Sequence, residues 1–388
     1  MEMLLEIFRG LLSITWQQGL MYIIGLVLIY LAIKKDYEPM LLLPIGFGAI
    51  LVNLPFETVW MHGENQGFLK ILYDIGIISE LFPILIFIAV GAMIDFSQLL
   101  KSPKMLMFGA AAQFGIFFTI IAALWLGEVL PDSVFSVTLE EAAAIGIIGA
   151  ADGPTSIFVA QKFAQKFLGP ITVAAYSYMA LVPIIQPPVI KALTTKKERL
   201  IRMAYTEKRV SKAALIIFPI VSTLVAGILA PESASLVGSL MFGNLVRECG
   251  VLEKLSKTAQ NELANLVTLL LGITIGATMR AAEFVQVQTM IIMGLGLVAF
   301  IFDTAGGVLF AKFLNLVTKE KINPMVGAAG ISAFPMAARI VQKMAKDEDP
   351  TNFVLMQSVS ANVSGQLGSV IAGGMILTLV PLLAKMLG

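Results

Sequence analysis

Asp152, Thr155 and Ser156 flank Gly153-Pro154 in the string GAADGPTSIFVAQKFAQK, residues 149–166. A carboxylate and two hydroxyls are hard oxygen donors. Proline lacks an amide hydrogen and glycine adopts turns closed to other residues, so carbonyls beside them are freed from helical bonding. Such a donor set suits a small alkali cation, which has no use for sulfur or imidazole. The plainer reading is that Asp152 caps the helix starting at Pro154; the two roles are compatible.

A second passage, residues 327–346, reads GAAGISAFPMAARIVQKMAK. Both passages open on Gly-Ala-Ala, carry a proline a few residues on, and contain Gln-Lys near their ends. Around the second lie Asn323, which precedes Pro324 and either caps a helix or binds, and Ser332, in unwound chain between Gly330 and Pro335. Arg339 has no acidic neighbour before Asp347; it would bind a carboxylate, compensate an anionic site, or pair at the membrane rim. Downstream, Ser358, Asn362, Gln366 and Ser369 follow helical spacing and form one polar stripe, with Asn362 the candidate ion ligand. Tyr176 and Tyr178 in the first half could relay a proton, bind a cation, or simply pack. Asp303, in FDTAGG, is a further carboxylate in apolar sequence.

The elements that must hold these residues are membrane spans. Of 388 residues 57% are hydrophobic and only 14% charged, against about 25% charged in a soluble chain, and the mean hydropathy is +0.87. A net charge of +1 gives no case for nucleic acid. The single cysteine, Cys249, excludes an internal disulfide, and the single histidine, His62, falls in a polar loop. Residues 1–12 are amphipathic and lack a signal peptide's basic start. Apolar stretches follow at 16–33, 39–56, 81–94, 105–126, 171–193, 213–230, 235–246, 263–279, 285–314 and 353–387. Those shorter than roughly 20 residues must be tilted or broken.

Basic loops carry Lys34 and Lys35, Lys101 and Lys104, the run from Lys196 to Lys212 that includes Lys208, then Arg247, Lys254 and Lys257, and finally Lys312, Lys319 and Lys321. The intervening loops at 57–67, 128–132 and 231–235 are acidic or neutral, which places the basic ones in the cytoplasm. The alternation works only if each repeated passage enters and leaves on one side. The expected fold is therefore an all-α integral membrane bundle of two inverted-topology repeats, each with a broken re-entrant hairpin. The repeats span 1–195 (hairpin about 140–166) and 213–388 (hairpin about 323–346), joined by a basic cytoplasmic connection, 196–212. Gly91-Ala92-Met93 and Gly276-Ala277-Thr278 fit the same register. Lys162 and Lys166, on the outer side, run against the charge rule. Broken segments at matching positions of two halves point to the ion and substrate site of a transporter.

The strings IGIIGAADGPTSIFVA, FGNLVRECGVLEKLSKTAQNEL, NPMVGAAGISAFPMAARIVQ and SANVSGQLGSVIAGG resemble the integral membrane beta subunit of the biotin-dependent, sodium-pumping decarboxylases. That family covers the oxaloacetate, methylmalonyl-CoA and glutaconyl-CoA enzymes. The resemblance implies a bacterial inner-membrane subunit that decarboxylates carboxybiotin, consumes a proton and exports sodium. It implies Asp152, Asn323, Gly327, Ser332, Asn362 and Tyr176 as sodium ligands, to which the residues themselves add Thr155, with Asp152, Arg339, Tyr178 and Ser332 in the chemistry and Arg339 toward carboxybiotin. It further implies a biotin carrier, a carboxyltransferase alpha subunit and a small membrane-anchoring subunit as partners, a homo-oligomer and surrounding lipid. No Ala-Met-Lys-Met string is present, so biotin must arrive in trans. The alternative is a stand-alone sodium-coupled carboxylate carrier or sodium/proton antiporter, which fold and hairpins alone do not separate from the first reading.

Overall fold

The computed structural model describes residues 9–10, 12–36, 38–203 and 209–387; residues 1–8 and 11 of the N-terminal piece, and Lys208, lie outside them. The described chain is almost wholly helical. α1 (Trp16–Lys35) begins at a capping box in which Thr15 and Gln18 satisfy each other's amides, and stops where Asp36 turns left-handed at φ 55°. α2 (Pro39–Val52) starts on proline, where a missing amide costs nothing. A two-residue antiparallel hairpin, Met61–His62 with Asn65–Gln66, is a small departure from the all-helical expectation. It turns through Gly63 at φ 63°. α3 (Leu81–Met93) and α4 (Phe114–Val129) follow, then α5 (Leu139–Gly146) and α6 (Gly153–Phe163), the two arms of the first broken passage. α7 (Leu168–Ala180) and α8 (Val182–Leu193) are bent against each other by 70°.

The second half contains α9 (Lys212–Leu229), α10 (Ala234–Glu248), α11 (Ala264–Ala277) and α12 (Val287–Val317). The arms of the second broken passage are α13 (Pro324–Ala328) and α14 (Met336–Glu348), and α15 (Leu355–Leu387) closes the chain. Among the described residues four helices are long and apolar enough to cross a membrane, six if each bent pair is one span. The remaining apolar stretches are shorter, as tilted or broken segments must be. Ile121 and Trp125 on α4 and Leu224 and Ile228 on α9 are largely exposed. That much outward apolar surface belongs against lipid.

Without a hydrophobic drive between helices, membrane packing depends on small residues that let backbones approach. Two seams use this. α2 meets α11 at Gly48 and Gly276: a Cβ on Gly276 would lie 2.2 Å from the Ile45 carbonyl. α3 meets α10 at Gly91 and Gly243: a Cβ on Gly243 would lie 1.9 Å from the Ile88 carbonyl, and one on Gly91 1.9 Å from that of Leu240. A buried asparagine clasps each seam. Asn53 donates to the Met279 carbonyl at 2.7 Å, and Asn244 to that of Ile94 at 3.1 Å.

Ion pairs staple the segment ends. Lys162 pairs with Glu80 at 3.0 Å and Lys166 with Glu141 at 2.7 Å, so the two lysines that ran against the charge rule are neutralised by partners. The central connection is held to the end of α14 by Arg199–Glu348 at 2.6 Å and Arg202–Asp349 at 2.7 Å. Hydrogen bonds from Thr351, side chain and amide, and from Arg202 hold the Asp349 carboxyl down at about 2.

Candidate functional site

The first broken passage begins when a capping box of Thr138 and Glu141 launches α5. The helix tightens into a 3₁₀ turn over Ile147–Ala150, and Ala151 then turns left-handed at φ 54°. A non-glycine residue pays about 1–2 kcal/mol for that conformation. Chain direction is thereby reset, and Asp152 stands as N-cap of α6 without capping it. Its carboxylate instead accepts hydrogen bonds from three side chains at Oδ2: Thr155 Oγ1 at 2.6 Å, Ser369 Oγ at 3.0 Å and Gln366 Nε2 at 3.3 Å. All four residues are buried. Gln366 and Ser369 come from the polar stripe of α15, so one face of that helix is committed to this carboxylate.

In the second passage Asn323 caps α13 by accepting the Met325 amide at 3.1 Å. The chain is unwound after α13 and Ser332 points back at the first passage. Its Oγ donates to the carbonyl of Ala150 at 2.8 Å, with that of Ala151 at 3.2 Å. The two broken passages therefore touch through a hydroxyl and two carbonyls, next to Asp152. Asn362 Nδ2 donates to the Ile331 carbonyl at 2.6 Å while its Oδ1 is buried without a partner. The ring of Tyr176, on α7, lies against Gly153, where an added Cβ would come within 2.2 Å of it. Its hydroxyl is likewise buried and unpartnered.

Asp152, Thr155, Ser332, Asn362 and Tyr176 thus gather around the junction of the two passages. Four other candidates sit elsewhere. Asn323 Nδ2 donates to the carbonyls of Arg199 at 2.8 Å and Ile201 at 2.9 Å, tying α13 to the central connection. Gly327 lets α13 rest on α12, where a Cβ would meet the Gly307 carbonyl at 2.0 Å. Tyr178 donates to the Met293 carbonyl on α12 at 2.6 Å. Arg339 is exposed on α14 rather than buried. Its charge acts on Glu38, whose carboxyl is pushed up by burial and pulled down by Arg339.

Sequence reasoning left Gln186, Asn53 and Asn244 out of the polar core. Gln186 is fully buried and donates to the Ala328 carbonyl at 2.7 Å, reaching the second passage from α8. A lone glutamine among prolines gave no period to follow. Asn53 and Asn244 carried a faint signal, each lying shortly after a Phe-Gly pair, 47–48 and 242–243.

The junction offers one carboxylate, several hydroxyls, an amide oxygen and carbonyls released by the left-handed turn. Oxygen donors of this kind replace the water around a small monovalent cation. Fold and site together define an almost wholly helical integral membrane protein built around a buried, oxygen-lined polar centre. Residues 17–380 match the family described as the Na+-transporting oxaloacetate decarboxylase beta subunit. The methylmalonyl-CoA decarboxylase subunit beta of Propionigenium modestum is 48% identical, the match covering 95% of this chain and 96% of that one. The oxaloacetate decarboxylase beta chain of Klebsiella pneumoniae is 45% identical, over 96% and 97%. The glutaconyl-CoA decarboxylase subunit beta of Acidaminococcus fermentans is 48% identical, over 96% and 95%. Among solved structures, the sodium proton antiporter MjNhaP1 from Methanocaldococcus jannaschii aligns over 98% of both chains, at 14% identity and a TM-score of 0.39. The chain belongs to the Na+-transporting decarboxylase beta subunit family, and is the integral membrane subunit of a sodium-pumping decarboxylase.

Proposed function

We propose that this subunit decarboxylates carboxybiotin brought by a separate biotin carrier and couples that step to sodium export. In the reaction the bond between the ureido nitrogen and the carboxylate carbon breaks, CO2 leaves, and the nitrogen takes a proton with the electron pair. Sodium sits at the junction of the broken passages. Asp152 supplies the charge, and Thr155, Ser332, Ser369, the free Oδ1 of Asn362 and the carbonyls of Ala150 and Ala151 supply oxygens, with Tyr176 beside them. Asn323 and Gly327 act on the ion through the second passage, and Tyr178 through α7. The observation that carries this reading is the Asp152 carboxylate: buried, without a cationic side-chain partner among the described residues, and held by hydroxyl and amide donors. A carboxylate in that state at membrane depth is a site for a cation or a proton.

The halves are inverted repeats whose hairpins enter from opposite faces. Supporting this, the glycine seams are exchanged between halves: α2 pairs with α11 and α3 with α10, and Gly91 of α3 matches Gly276 of α11 in register. The exposed Arg339, with Lys343 and Lys346 on the same helix, receives the anionic carboxybiotin from the cytoplasmic side. Partners are the biotin carrier, a carboxyltransferase alpha subunit and a small anchoring subunit, in a complex with more than one copy of this chain in a bacterial inner membrane. Relatives named for three different acids match this chain alike, so the acid is chosen by the carboxyltransferase.

The test is Asp152→Asn in the assembled complex. Asparagine keeps the shape and removes the charge. Sodium-dependent decarboxylation of carboxybiotin is expected to vanish; sodium-dependent turnover at the wild-type rate would overturn the assignment.

A further inference from the structure

Among the described residues two acids are buried, Asp152 and Asp303, and the sodium site uses only the first. Asp303 lies midway along α12 and is 1% exposed. Its two oxygens face two glycines on different elements. A Cβ on Gly115, at the start of α4, would lie 2.4 Å from Oδ1; a Cβ on Gly149, in the first broken passage, would lie 2.7 Å from Oδ2. The carboxyl group is therefore clamped between α4 and the passage that, three residues on, carries Asp152.

The two acids differ in what surrounds them. Asp152 has three side-chain donors. Neither oxygen of Asp303 has a hydrogen bond of ordinary geometry; the nearest donors are the backbone amides of Gly115 and Ile116. Ala299 closes the same space, its carbonyl 2.2 Å from a Cβ on Gly115 and its methyl 3.0 Å from one on Gly149. No cationic side chain pairs with it among the described residues. Of the elements around it, the first passage carries Asp152 and, at its start, Glu140 and Glu141; α4 carries Glu128, at the opposite end from Gly115; α7 carries Tyr176 and Tyr178, the ring of Tyr178 lying against Gly296 on α12; and α13 carries none. Keeping a charge in so poorly solvated a place is costly.

We propose that Asp303 is a proton-binding site, distinct from the sodium site, and that the proton it holds is the one coupled to sodium movement. Charging Asp303 requires water or displacement of Gly149, so the charge on Asp303 and the placement of the passage that carries Asp152 are linked. Protonation and deprotonation here are simple transfers of H+ to and from the carboxylate. The inference rests on the sodium-pumping reading above.

Asp303→Asn in the assembled complex tests it, with sodium-dependent decarboxylation measured across pH. Asparagine still offers an oxygen to the amides of Gly115 and Ile116, so a group that merely anchored α4 would leave the pH profile in place. Expected is a rate lower by roughly a hundredfold, the scale of losing a positioned proton carrier, with a flattened pH profile and a sodium requirement close to wild type. A profile that superimposes on wild type, or a shift confined to the sodium requirement, overturns the proposal. Asp152→Asn, run alongside, separates the two claims: sodium dependence surviving there sinks the sodium site, whereas its loss with an unmoved Asp303→Asn profile sinks the proton site alone. Should Asp303→Asn fail to assemble, infrared spectra of Asp152→Asn decide. A protonated-carboxyl carbonyl band that titrates with pH must remain, and its absence overturns the proposal.

Discussion

The Asp152 carboxylate stands where an aspartate ordinarily accepts an amide from its own helix, yet its hydrogen bonds come from Thr155, Gln366 and Ser369. Aligning donors on a charged oxygen contributes more than a neutral bond does, about 1.5–3 kcal/mol each. That difference becomes a sodium requirement when the same oxygen must hold an ion in place. Ser369→Ala is expected to raise the sodium concentration for half-maximal decarboxylation by roughly tenfold, the lower end of that range. Ser332→Ala is expected to do the same by releasing the carbonyls of Ala150 and Ala151. Thr378→Ala is the control, since this hydroxyl on the same helix only bonds back to the Gly374 carbonyl. A sodium titration in which Thr378→Ala moves as far as Ser369→Ala would remove the site from α15. At this scale the sequence was informative wherever glycine and proline broke an apolar run, because the break and the donors are neighbours in the chain. Tyr178 and Arg339, which the resemblance puts in the chemistry, lie away from the junction, since which face of α7 or α14 packs inward is not written in residue type.

Elements meet here through absent side chains. The seams at Gly48 with Gly276 and Gly91 with Gly243 bring backbones so close that any Cβ would collide with a carbonyl. Gly243→Leu is expected to force α10 away from α3 and to cost about 3 kcal/mol or more, beyond the usual overpacking penalty because backbone cannot yield as a side chain does. A thermal melt of the purified subunit in detergent checks it: an unchanged midpoint means the seam is not under load, while Ala234→Leu, on the same helix and away from the seam, should melt near wild type. Most helix limits could be read from the apolar runs to within a few residues. The 70° bend between α7 and α8 was not read from the apolar run, because Leu181 at the break, at φ −90° and ψ 4°, is neither glycine nor proline; the signal it left was Pro183, at the start of α8. Asp74–Ile78, a π-helical turn that contains Gly76, was not read from the sequence either.

At the scale of the molecule the proposed orientation rests on charge. The loops flanking Lys34, Lys101, Lys196 and Lys319 are basic, and the outward exceptions Lys162 and Lys166 are both ion-paired to acids. The rule counts lysines and arginines rather than net charge, so these two remain exceptions to it, each held against an acid. The central connection is also tied to the end of the second passage by Arg199, Arg202 and Asn323. Both must therefore lie on one face, which the proposed function makes the face that carboxybiotin approaches. In a Cys249→Ser background, a cysteine at Glu64 is expected to react with an impermeant thiol reagent added to intact cells, and one at Lys197 to react only after lysis. Both side chains are exposed, so silence cannot be blamed on burial within this subunit. Labelling at Lys197 in intact cells would overturn the proposed topology, placing the first broken passage inside and Arg339 on the side opposite the proposed approach of carboxybiotin.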